Sequence, residues 1–215
     1  MKNLSWLGMS VLALSLVACN NDPAKGKAQA TAAEAVAVNS AAAPAAGAAV
    51  KYAFTNADSK LEFVGAKVTR KHDGSFQTFS GTVTVVDNDP TKSSVTALID
   101  VGSLKSDEEK LTGHLKSPDL LDVGKFPQAT FTSTSIKAGG DKGATHTITG
   151  NLQLHGVTKS ISFPATIKLS AEAADVDSEF AINRKDFGIV YPGMPDDLIK
   201  DDVLLKLQIR AKKAG

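Results

Sequence analysis

From Lys60 onward the chain alternates apolar and polar side chains with a period of two. Ile161, Phe163, Ala165, Ile167 and Leu169 interleave with Ser160, Ser162, Pro164, Thr166 and Lys168, the pattern of a strand with one buried face. Val203, Leu205, Leu207, Ile209 and Ala211 form a second such row, which Leu204 interrupts on its polar side. Val95, Ala97, Ile99 and Val101 form a third, Ile148, Leu152 and Leu154 a fourth, and Phe79, Gly81, Val83 and Val85 a fifth. Further strands are predicted over Lys60–Arg70, Thr130–Lys137 and Asp177–Lys185. Turn-forming residues separate the runs at His72-Asp73-Gly74, Asp87-Asn88-Asp89-Pro90, Ala138-Gly139-Gly140-Asp141 and His155-Gly156. The exception is Ser106 to Leu121. Ser106 followed by Glu109 fits a capping box, and Leu111, His114 and Leu115 share one helical face. The reading is an all-β domain of about eight antiparallel strands with one short helix. Closure into an up-and-down barrel would remove the sheet edges and leave room for one small ligand. Alternation alone leaves a two-sheet sandwich open.

The first 50 of the 215 residues follow a different pattern. Lys2 precedes an apolar run, Leu4 to Leu16, shorter than the ~20 residues a membrane-spanning helix needs. It ends in Leu16-Val17-Ala18-Cys19, which resembles the bacterial lipobox. That resemblance implies a signal peptide over residues 1–18 and a diacylglycerol on Cys19, the only cysteine of the chain. Cleavage would expose the Cys19 amine for a further acyl chain. Three chains at ~0.8 kcal/mol per buried CH₂ make a stable membrane anchor. Asn20 stands where an inner-membrane retention signal has Asp, so the resemblance implies the outer membrane of a Gram-negative envelope as the destination, with the periplasmic side favoured and surface exposure left open. Cleavage would also remove Trp6, the only tryptophan, so the processed chain should show no tryptophan fluorescence.

Residues 19–50 read as the lipidated cysteine plus a flexible tether. Alanine supplies 14 of the 31 residues from Asn20 to Val50, and Leu, Ile and aromatics are absent. All nine phenylalanines and both tyrosines lie beyond residue 51, so residues 51–215 form the folded domain.

Charge and motif content exclude several classes. With 24 Lys+Arg against 23 Asp+Glu there is no excess to attract nucleic acid. A single cysteine excludes a disulfide framework within the chain. The four histidines, His72, His114, His146 and His155, are scattered without metal-ligand spacing. Asp186-Phe187-Gly188 lacks the companion motifs of a kinase. No nucleophile elbow, phosphate loop or dinucleotide fingerprint is present, and nothing argues for an enzyme, a metal or a cofactor. What remains is apolar surface. The phenylalanines of the predicted strands either fill a core, the default on the residues alone, or line a tunnel for a hydrophobic molecule.

Three motifs favour the tunnel. Gly113-His114-Leu115-Lys116-Ser117-Pro118-Asp119-Leu120-Leu121-Asp122-Val123, followed by Lys125-Phe126-Pro127-Gln128-Ala129-Thr130-Phe131-Thr132-Ser133, resembles a signature of the YceI-like family. Gly150-Asn151-Leu152-Gln153-Leu154-His155-Gly156-Val157-Thr158-Lys159 resembles its second motif and Asn183-Arg184-Lys185-Asp186-Phe187-Gly188-Ile189 its third. The resemblance spans Tyr52 to Lys212. It implies an extended, lipocalin-like barrel whose tunnel takes a polyisoprenoid chain, such as a quinone tail, or another long amphiphile. Under that implication the tunnel candidates are Phe63, Phe76, Phe79, Val83, Val85, Ala97, Ile99, Phe131, Leu152, Leu154, Phe163, Phe180 and Phe187. His114, Asp119, Asp122 and Arg184 would fix the helix and loops. A homodimer is allowed by resemblance alone. The lipobox departs from relatives that carry an ordinary signal peptide.

Overall fold

The computed structural model describes residues 21–37 and 49–214. The signal peptide and Cys19 lie outside the described residues. Strands β1 (Ala28–Gln29) and β2 (Thr31–Glu34) form an N-terminal arm. They are followed by β3 (Ala49–Thr55), β4 (Lys60–Ala66), β5 (Lys71–Phe76), β6 (Phe79–Val86), β7 (Asp89–Asp100) and β8 (Leu104–Ser106). Helix α1 (Glu109–Lys116) leads to β9 (Gln128–Ala138), β10 (His146–Leu154), β11 (Val157–Leu169) and β12 (Ala173–Asn183). A short hairpin, β13 (Gly193–Met194) with β14 (Asp197–Leu198), precedes β15 (Asp202–Lys213).

Eight of these strands close a barrel in the order β3-β6-β7-β9-β10-β11-β12-β15 and back to β3, each pair antiparallel. The barrel is chosen over the sandwich. Two-residue loops with positive φ at both positions, Asp87-Asn88 (53° and 55°) and His155-Gly156 (50° and 75°), join β6 to β7 and β10 to β11. Such turns match the twist of the strands they connect. Gly156 is needed for a second reason, since a Cβ there would stand 2.5 Å from the Phe126 ring.

The closure is tight at one end and splayed at the other. Strand β15 pairs with β3 only at Lys212 and Lys213, while Leu204 to Gln208 pair with β4, which continues into β5 and β8. On the other flank, β11 pairs with β12 only from Thr166 to Leu169. Where these two part, the arm enters: β1 runs parallel to β12 at Phe180 and Ala181, and β2 runs antiparallel to β11 from Lys159 to Ser162. Interior width grows with strand number, and eight strands enclose only about enough space for their own side chains. Extra strands at both seams therefore widen this end.

The arm corrects the reading of residues 19–50 as tether throughout. Its alanines lack bulk to build a core, but backbone hydrogen bonds to β11 and β12 hold it, and Ala30 is small enough to be buried in the seam. Residues 38–48 lie outside the described residues. Two local readings also change. His72-Asp73-Gly74 is part of β5 rather than a turn, with Gly74 opposite Phe63. The capping box does not form: Glu108 occupies the cap position, and the Ser106 hydroxyl instead donates to the Glu108 carbonyl at 2.7 Å.

Phenylalanine rings lie over glycines of neighbouring strands. A Cβ at Gly81 would collide with the Phe54 ring and the Thr96 carbonyl, one at Gly74 with Phe63, and one at Gly150 with Phe131. The rings shield glycine backbone that would otherwise weaken the strands. Gly81→Ala is expected to lower stability by about 2–4 kcal/mol, because the Thr96 carbonyl cannot move without breaking the β6–β7 ladder. Urea unfolding checks this, and a change under 1 kcal/mol would contradict it.

Candidate functional site

The inner faces enclose a cavity of about 500 Å³. Strand β7 shows how the sequence makes it. Val95 and Ala97 point inward but are only half-buried, whereas residues of a filled core on the same face would be covered completely. Leu152 and Leu154 of β10 and Leu205, Leu207 and Ile209 of β15 behave in the same way. The filled-core reading is therefore set aside. Aromatic contacts stiffen the wall: the Phe163 and Phe180 rings stack with centroids 4.2 Å apart, and Phe131 tilts onto Phe163 at 5.7 Å.

Of the tunnel candidates, all but Val85 and Phe187 lie in this wall. Val85 is buried with Tyr52, Ala174 and Ala211 in a core cluster that reaches the tight end of the barrel, where the alternation continues but the cavity does not. Phe187 is fully buried beyond the end of β12, in the 3₁₀ turn Arg184–Phe187, where its carbonyl lies 3.2 Å from His155 Nδ1. The strand period does not carry through that turn. The sequence reading left out Leu111 and Leu115 as wall residues, although it placed them on one helical face. It also left out Tyr191 and Met194, which sit in a stretch without periodicity. The β15 row was legible, but only as core.

Polar groups of the wall gather at the splayed end. His72, 7% exposed, places Nδ1 2.9 Å from Asp107 Oδ1. His114 packs edge-on against Tyr191 with centroids 5.3 Å apart, and its Nε2 lies 3.4 Å from Asp119. Lys67 Nζ donates to Asp197 at 3.1 Å, and Thr69 Oγ1 to the same carboxylate at 2.9 Å. Partial desolvation opposes ionisation of Asp197, but the Thr69 and Lys67 bonds outweigh it and hold its pKa below the ordinary value. Met194 belongs to the wall and is 60% exposed, so the cavity opens beside the β13–β14 hairpin.

Arg184 organises the loops at this mouth. It is 4% exposed, and its guanidinium donates to the carbonyls of Ile189 (2.6 Å), Lys200 (3.1 Å) and Ile199 (3.5 Å) and to Asp201 Oδ1 (3.3 Å). Burial pushes its pKa down and Asp201 works in the opposite direction. Among the described residues, no group of three or more His, Cys, Asp or Glu is placed to hold a metal ion. The arrangement is suited to enclosing a long apolar tail with its polar end at the mouth.

Comparison with known proteins agrees with this geometry. The YceI-like domain model matches residues 52–211. A UPF0312 protein of Pseudomonas putida is 35% identical over 136 residues, 60% of this chain and 70% of that protein. Protein YceI of Salmonella arizonae is 38% identical over 122 residues, 54% of this chain and 62% of its own length. Among solved structures, Burkholderia cenocepacia BcnA superposes with a TM-score of 0.64 at 24% identity, covering 74% of this chain and 99% of that one. A polyisoprenoid binding domain from Saccharophagus degradans, implicated in plant cell wall breakdown, gives 0.60 at 18% identity, covering 78% and 100%. At these identities both show the shared fold.

Proposed function

This chain belongs to the YceI-like family, and from that membership and its cavity we propose that it binds and carries polyisoprenoid or similar long amphiphilic lipids. The observation that carries the reading is the apolar cavity of about 500 Å³ with its polar groups confined to one end. A structural neighbour described as a polyisoprenoid binding domain supports it. Binding is burial: an isoprenoid tail gains roughly 25 cal/mol for each Å² removed from water. Such a wall selects by width and length more than by chemistry, so foreign lipophilic compounds would compete for it. The reading is one of binding rather than turnover.

Length is the testable feature. In a titration with prenyl quinones of increasing tail length, affinity should climb with each added unit until the cavity is filled and then level off. No dependence on tail length would contradict the reading.

The carrier is further read as a lipoprotein held at the outer membrane through Cys19. Replacing residues 1–19 with an ordinary cleavable signal peptide should move the protein from the membrane fraction to the soluble periplasmic fraction without changing its unfolding curve. Retention in the membrane fraction would contradict the anchor.

A further inference from the structure

One polar side chain of the wall has its hydrogen-bonding direction set by a neighbour. His72 and Phe76 share the inward face of β5, and both line the cavity. Asp107 Oδ1 lies 2.9 Å from His72 Nδ1. The Asp107 N–H donates to the Asp73 carbonyl at 2.9 Å, which ties the carboxylate to β5. A carboxylate only accepts, so the chemistry of the pair assigns the ring proton to Nδ1. In the neutral imidazole Nε2 is then left with a lone pair and no proton. Nε2 makes no hydrogen bond within the protein, yet among the described residues every fully enclosed side-chain nitrogen or oxygen has a partner. It therefore borders open space. The paired strand supplies that space: His72 stands opposite Gly65 of β4, another wall residue, and a Cβ on Gly65 would meet nothing within 4 Å.

We propose that the His72–Asp107 pair selects the head group of the carried lipid, with Nε2 accepting a hydrogen bond from a hydroxyl. The proposal rests on the carrier reading and narrows its cargo to prenyl lipids that end in an uncharged hydroxyl: an alcohol, a phenol or a quinol. A quinone carbonyl or an ether oxygen offers Nε2 only lone pairs, so the tail is buried but the head is left unbonded. A phosphate needs a free cation, and the lysine and arginine of the wall are both engaged. Asp197 holds Lys67 at 3.1 Å, and Arg184 serves three carbonyls and Asp201. The Asp107 carboxylate beside the ring adds like charge against a second anion.

The test sets geranylgeraniol against its methyl ether, and then against geranylgeranyl phosphate, as pairs competing for the processed full chain. Native mass reads the ratio bound, corrected for the partition of each probe into the detergent. The wild type should hold the alcohol about tenfold over the ether, the worth of one hydrogen bond, and should not prefer the phosphate. His72→Phe keeps a flat ring without the acceptor, so the preference for the alcohol should vanish while ether binding holds. His72→Gln, whose Oε1 accepts from a similar position, should keep most of the preference. A purely structural role for His72 would weaken both probes together and leave their ratio unmoved. Equal binding of alcohol and ether by the wild type overturns the proposal, and that comparison stands whether or not either variant folds. A phosphate that outcompetes the alcohol overturns it too, as does a preference that survives His72→Phe. Equal uptake of all three probes removes the head-group site and keeps the carrier, whereas uptake of none removes both.

Discussion

Ala97→Trp is expected to yield a folded barrel that is purified with its cavity empty of lipid. Ala97 lies in the cavity wall on β7, half-buried, between Val95 and Ile99 on the same inner face. An indole there would extend into the cavity and displace part of the tail. Excluding roughly 120 Å² of tail surface at 25 cal/mol per Å² costs about 3 kcal/mol, or about a hundredfold in affinity. The barrel should tolerate the change because the added ring enters space that the cavity already provides. The variant also reports on itself. Trp6 is lost with the predicted signal peptide, so the new indole would be the only tryptophan of the processed chain. Its emission should be that of a buried ring. Unchanged affinity for a prenyl quinone would mean that the tail does not occupy this cavity.

Arg184→Leu is expected to cost about 3–5 kcal/mol of stability, a large fraction of what a domain of this size possesses. The guanidinium serves three carbonyls, of Ile189, Ile199 and Lys200, in a nearly solvent-free site. Leucine would leave those oxygens without a donor, and each unsatisfied buried polar group is worth about 1–3 kcal/mol. Arg184→Lys should recover little, since one ammonium cannot span the positions that the planar fork reaches. Urea unfolding would show a lower midpoint with unchanged slope. A loss under 1 kcal/mol would mean that the mouth loops are held by other contacts.

Much of the barrel was legible because most of its strands bury one face, and a two-residue period survives wherever that holds. Strand β11, from Val157 to Leu169, could be read directly. Strand β5 could not: its His72 is buried against Asp107, and its Asp-Gly pair belongs to turns unless a ring such as Phe63 covers the glycine. The arm was hidden for a related reason. Its strands are held by backbone bonds to β11 and β12, and backbone bonding leaves no trace in an alanine-rich sequence. Leu204 seemed to break the polar row of β15, yet it is 3% exposed, opposite Val64 and Ala181 on the paired strands β4 and β12.

The site divides along the same line. Alternation marks inward-facing residues but cannot say whether they meet one another or a cavity, and Val85 and Leu152 look alike on that criterion. Only the extra strands at the two seams, which no periodicity announces, separate the tight end from the wide one. The mouth is built from Tyr191, Met194 and the hairpin, in a segment where side chains follow loop geometry rather than a period.

The most direct test of the carrier account is the native mass spectrum of the processed full chain purified from the envelope, followed by solvent extraction of whatever it holds. The account predicts one prenyl-type lipid per chain, in addition to the covalent lipid on Cys19, released by solvent and identified as a prenyl quinone or polyprenyl lipid. A chain bearing no such adduct, and remaining bare after incubation with a prenyl quinone, would contradict it.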